Sequence, residues 1–183
     1  TTTTALALLA ALTASPAALA AETAAAGPQV QCAKDDPKLK AYLEMTEQMF
    51  VPRDPAPAAQ FYAPEFVSHN SDSGGDAAIK VTPAAFKIMY EGSKATFAER
   101  GFQNDLILCA GPFLIARVYV TLRMTGPMGP QAPTGRTSRT SAIDIYRYEN
   151  GKIVERWGNN DTVSMLWQLG LQMPPPPQAA PRK

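Results

Sequence analysis

The sequence holds a single histidine, His69, and only two cysteines, Cys32 and Cys109. Two cysteines without a neighbouring His or Cys cannot build a tetrahedral metal site, so no metal is expected. Charge is also scarce: 17 Lys+Arg against 16 Asp+Glu leave a formal net charge of +1, and charged residues make up 18% of the chain. With neither sign clustered there is no basic stripe for nucleic acid and no acidic tail. Long apolar runs are missing too. The most hydrophobic stretch, residues 5–12, is too short to span a bilayer, so no stable membrane span is expected.

What is present suits one domain. With 183 residues and 45% hydrophobic content, the chain can bury a sizeable core but does not comfortably divide into two. Residues 1–26 read as an export signal or as a disordered Ala-rich arm. Ala18-Leu19-Ala20 followed by Ala21 offers the small residues that a signal peptidase reads, which would put a mature start near Ala21. Location follows from that choice: periplasmic or secreted if the segment is a signal, cytoplasmic otherwise. In an exported protein the cysteine pair can close a disulfide, and two buried free thiols are the alternative. The folded domain is expected over 35–172. The tail 173–183, with Pro174-Pro175-Pro176-Pro177, reads as extended polyproline outside it.

Along the domain, Asp36 before Pro37 predicts a capped helix, and Leu39, Tyr42, Leu43, Thr46, Met49 and Phe50 continue it at helical spacing. A short helix follows at 58–62, then a strand at 65–70 and turn chemistry at 71–75. Thr82-Pro83 opens a third helix carrying Phe86, Met89, Tyr90 and Phe97 on its apolar side. From Gln103 the period becomes that of strands. In 113–124 the residues Leu114, Ala116, Val118, Val120, Leu122 and Met124 share one face, expected to be core. A Pro/Gly-rich loop at 126–135 leads to a strand at 138–148, and Asn150-Gly151 predicts a tight hairpin into the next one. A terminal helix runs from Thr162 to Leu169, closed by Gly170. Helices first and an antiparallel meander afterwards define an α+β class with helices on one side of the sheet.

Phe66-Val67-Ser68-His69-Asn70, Pro133-Thr134-Gly135, the run from Asn150 to Trp157, Asp161 and Gln168-Leu169-Gly170 occur in the order found in the SnoaL-like polyketide cyclases, a branch of the NTF2-like superfamily that this chain resembles. The resemblance implies a strongly curved antiparallel sheet forming a cone around the helices, closed by a short C-terminal helix. It also implies an apolar pocket for a small hydrophobic molecule, and cofactor-free acid/base chemistry of the aldol-cyclisation or isomerisation type on a carbonyl or polyketide-like compound. In that reading Asp161 is the acid/base. An apolar setting would raise its pKa towards working pH. The alternative for Asp161 is a helix N-cap. His69 would polarise the substrate carbonyl or orient Asp161; otherwise it is a strand-end histidine bonded to backbone. Trp157, Tyr42, Phe66 and Tyr90 are the expected substrate-binding wall. Asp144, alternating with Ile143 and Ile145, points to the face opposite them, towards the pocket or solvent, with solvent the expected side. Where many SnoaL-like sequences carry Thr-Gly-Thr-His, this chain has Thr125-Gly126-Pro127-Met128. A homodimer contact is expected on the outer sheet face through Tyr119, Thr121, Tyr146 and Tyr148. The competing function is an exported, non-catalytic binding or dimerisation module on the same fold.

Overall fold

The computed structural model describes residues 27–70 and 79–172. The expectations for residues 1–26, the turn at 71–75 and the tail at 173–183 fall outside the described residues. Helix α1 (Pro37–Met45) begins as its sequence requires, with Asp36 Oδ1 accepting the Lys38 N–H at 2.9 Å and Pro37 in the first turn. It runs on into a π-helical turn, Thr46–Phe50, where Val51 N–H reaches Thr46 O at 2.9 Å and Asp54 N–H reaches Met49 O at 3.1 Å. Buried Leu39, Tyr42, Met45 and Met49 face the sheet. Helices α2 (Ala58–Phe61), α3 (Pro83–Thr96) and α4 (Thr162–Leu169) follow, and Gly170 at φ 75° ends α4 in the left-handed region.

Seven strands make one sheet in the order β1-β4-β5-β6-β7-β2-β3. They are β1 (Gln29–Gln31), β2 (Tyr62–Asn70), β3 (Ile79–Val81), β4 (Glu99–Ala110), β5 (Phe113–Arg123), β6 (Thr137–Glu149) and β7 (Lys152–Asn160). The Asn150-Gly151 hairpin forms as expected, with φ 49° and 75° at its two central residues. The sheet curves around the helices, but it is mixed and not purely antiparallel: β1 runs parallel to β4, and β2 parallel to β7. In the meander β4 to β7, tight turns join β4 to β5 and β6 to β7 and the Pro/Gly-rich loop joins β5 to β6, all displayed by the sequence. β1 and β2, separated in sequence by the first two helices, lie at either side of it, and no turn between them announces their direction. Cys32, just after β1, is disulfide-bonded to Cys109 on β4.

The inner face follows the expected alternation on β5, where Leu114, Ala116 and Val118 are buried. On β6 the buried set is Ser138, Ala142, Asp144, Tyr146 and Tyr148, while Ile143 is 47% exposed. This corrects two expectations. Asp144 lies inside instead of in solvent, and Tyr146 and Tyr148 are core residues that cannot serve an outer dimer contact. Two buried tyrosines remove more apolar surface from water than Ile143 and Ile145 would, and they set the phase of the strand. Tyr119 does lie outside, with the Arg139 guanidinium 3.8 Å and that of Arg117 4.9 Å from its ring centre.

Two bulges shift the phase elsewhere. On β4, Asn104 pairs with Val118 and Leu106 with Arg117, so Asp105 is the extra residue. On β7, Glu155 pairs with Arg147 and Ile153 with Tyr148, so Val154 is extra. After these insertions Arg100, Phe102 and Asn104 turn inward on β4, and Arg156 turns inward on β7.

Candidate functional site

A cavity of about 570 Å³ lies between the inner sheet face, the end of the π-helical turn, α3 and the start of α4. Its apolar wall includes Phe50, Phe66, Phe86, Phe102 and Val118, and its polar groups include Ser68, Asp144, Tyr146 and Arg156. The polar row follows from register: Ser68 on β2 and Tyr146 on β6 flank Arg156 on β7, and Asp144 sits one inward position further along β6.

Arg156 Nη2 donates to Asp144 Oδ1 at 2.5 Å. Burial works against the Arg156 charge, yet the adjacent Asp144 carboxylate and the Tyr146 and Tyr62 rings outweigh it, so the guanidinium pKa rises above its ordinary value. Burial drives the Tyr146 phenol well above 10, and Asp144 adds to the effect. Tyr62 moves the same way through burial, opposed by Arg156. Tyr90 is pushed up to about 12 by burial, with Arg100, Arg156 and Arg53 pulling it down. All three phenols therefore keep their protons at neutral pH and can donate hydrogen bonds into the cavity.

Of the residues singled out in the sequence, Phe66, Tyr90 and Asp161 line the cavity. Asp161 is exposed, at the rim, where its Oδ1 accepts the Ser164 N–H at 3.2 Å as the α4 cap and its own N–H donates to Ser141 O at 3.2 Å. Tyr42 packs in the core, its ring centre 5.7 Å from that of Tyr146 and its hydroxyl donating to Asn104 Oδ1 at 2.7 Å. His69 and Trp157, expected in the cavity, are paired in register on the opposite face. Their rings stack with centres 5.1 Å apart, and His69 Nε2 shares a 2.9 Å hydrogen bond with Glu155. For Trp157 the Val154 bulge is the cause, since it swaps the faces of Arg156 and Trp157 relative to an unbroken strand; His69 faces outward by alternation with inward Phe66 and Ser68.

The residues that sequence reasoning missed are Arg156, Arg53 and Arg100, and of the two destinations open to Asp144, pocket and solvent, it favoured solvent. The phase of β6 was readable from the series Ala142, Asp144, Tyr146, Tyr148. The bulges had no comparable mark, since Asp105 and Val154 are ordinary strand-edge and strand residues. Among the described residues, no group of three or more His, Cys, Asp or Glu is placed to hold a metal ion. No helix among them is long and apolar enough to cross a membrane.

A curved mixed sheet wrapped on helices around one aromatic-walled cavity is the NTF2-like architecture. Within it, the model of the SnoaL-like polyketide cyclase family matches residues 40–169, and the chain belongs to that family. IdmH, a candidate polyketide cyclase from Streptomyces antibioticus, is similar in structure with a TM-score of 0.63 at 23% identity, over 73% of this chain and 99% of that one. A candidate polyketide cyclase from Acidithiobacillus ferrooxidans gives a TM-score of 0.67 at 14% identity, over 76% and 98%. AclR, a candidate hydroxylase from Streptomyces galilaeus, gives 0.62 at 22% identity, over 77% and 85%. At these identities the likeness speaks for the fold. No curated protein matches the sequence.

Proposed function

We propose that the cavity binds a small, largely apolar carbonyl compound and carries out cofactor-independent general acid/base chemistry on it, of the aldol-cyclisation or isomerisation type. The observation that carries this reading is the pairing, in one aromatic-walled cavity, of a carboxylate at the rim with a group of fixed hydrogen-bond donors inside. Asp144 is committed to Arg156 by an ion pair. Asp161 has no such cation among the described ion pairs, so it is the carboxylate we assign as the base. In the proposed step its carboxylate takes a proton from the carbon beside a carbonyl. Arg156, with the Tyr62 and Tyr146 phenols, faces the oxygen where charge develops. The enolate carbon bonds to a second carbonyl carbon, and Asp161 returns the proton to the resulting alkoxide, so no proton or electron is gained or lost.

Solvent-deuterium incorporation tests the first half of this cycle without knowledge of the natural substrate. In D₂O, the protein should exchange the α-protons of members of an aromatic ketone and 1,3-dicarbonyl panel faster than buffer, as read by proton NMR. Binding of the same compounds with exchange no faster than buffer would support the non-catalytic binding module instead.

A further inference from the structure

The cavity holds more positive charge than its carboxylates answer. Arg53, Arg100 and Arg156 line it, against Asp144 and Asp161. Arg156 has Asp144, and Asp161 stands at the exposed rim. Among the described residues neither Arg53 nor Arg100 has a carboxylate partner. They meet neutral acceptors: Arg53 Nη1 donates to Phe97 O at 2.5 Å and Ala98 O at 3.3 Å, Arg53 Nη2 to Ser93 Oγ at 3.3 Å, and Arg100 Nη1 to Phe50 O at 2.9 Å.

Arg53 is only 6% exposed, and its Nε is buried without a hydrogen-bond partner. It is also held at φ 58°, a conformation that non-glycine residues adopt at a cost and that persists where the surroundings impose it. Burial lowers the pKa of both guanidinium groups, opposed at both by Tyr90; at Arg100 the charge of Arg53 lowers it further and Asp144 raises it. Arg53 is a buried cation with no carboxylate partner, Arg100 shares the field of Asp144 with Arg156, and the Tyr90 phenol within their reach is neutral. An anion entering the cavity would relieve both.

We propose that Arg53 and Arg100 form an acid-binding subsite, and that the ligand is an amphiphilic organic monoanion, a carboxylate on an apolar, ring-bearing body. Arg100 supplies a charge-assisted contact and Arg53 a second positive charge beside it, while the aromatic wall covers the body. This rests on the reading that the cavity is the ligand site, and it adds the charge of the substrate.

Calorimetric titration at pH 7 with 2-naphthoic acid and with its neutral methyl ester tests the subsite. The acid should bind wild-type protein about tenfold more tightly than the ester, the value of one hydrogen bond to a charged group. Arg100→Gln should erase that preference by weakening the acid alone, in protein that thermal melting shows to be folded. The comparison on unmodified protein stands even where a variant does not fold. An ester bound as tightly as the acid would overturn this proposal and leave the cavity reading intact. So would a full acid preference kept by both Arg100→Gln and Arg53→Lys. Binding of neither compound would overturn the cavity reading as well.

Discussion

A carboxylate buried beside a guanidinium holds its charge only as one of a pair. Asp144 is 7% exposed and bonded to Arg156, so Arg156→Met should cost about 3–5 kcal/mol by leaving Asp144 without its cation. The double substitution Arg156→Met/Asp144→Leu should recover most of that loss, and urea denaturation measures both. Glu155 offers a second test at this scale. Its hydrogen bond with His69, and after it that with Arg147, hold its pKa below the ordinary 4.5 in the folded protein. A depressed carboxylate pKa stabilises the fold above the unfolded value and loses that contribution as pH falls through the folded one. Stability should therefore decline below about pH 4.5, and Glu155→Gln should flatten that part of the curve in denaturation measured from pH 3 to 7. Single residues were legible where a local rule acts on them: the Asp36 cap, the Asn150-Gly151 turn, and Asp161 as both cap and rim carboxylate. Trp157 was not, because the face it occupies depends on one inserted residue in β7, whereas His69 lies opposite Phe66 and Ser68 by the plain alternation of β2.

At the scale of elements, helices and hairpins announced themselves through caps, prolines and alternation. The bulges at Asp105 and Val154 did not, and they decide which charges enter the cavity. The 126–135 loop shows what a departure from a family pattern can mean physically. Thr125 N–H and Gly126 N–H both reach Thr96 O, at 3.0 and 2.9 Å, and Thr96 Oγ1 donates to Pro127 O at 3.0 Å, so the loop is docked on the end of α3. A Cβ on Gly126 would fall 1.8 Å from the Ala95 carbonyl oxygen, a backbone atom that cannot swing aside. Gly126→Ala should cost about 1–3 kcal/mol and loosen the cavity wall at Phe97, which thermal melting and ligand titration report separately.

The described residues couple a broad inner sheet face to a thin layer of helices, an arrangement that leaves a cavity beside the packed core. Cys32–Cys109 ties the β1 edge to that sheet across a sequence separation of 77 residues. In the chain-entropy model, Cys32→Ser/Cys109→Ser should lower stability by about 4 kcal/mol, read from urea denaturation against the oxidised wild type. The fold class was legible from the order of helices and strands. The mixed sheet was not, since parallel pairing depends on where distant segments dock. The central claim is that Asp161 moves a proton in this cavity, and deuterium exchange by Asp161→Asn measures it most directly. The amide is isosteric and still caps α4, so the account predicts unchanged melting, retained ligand binding and exchange reduced to the buffer rate. Exchange at the wild-type rate in a folded Asp161→Asn protein would contradict it.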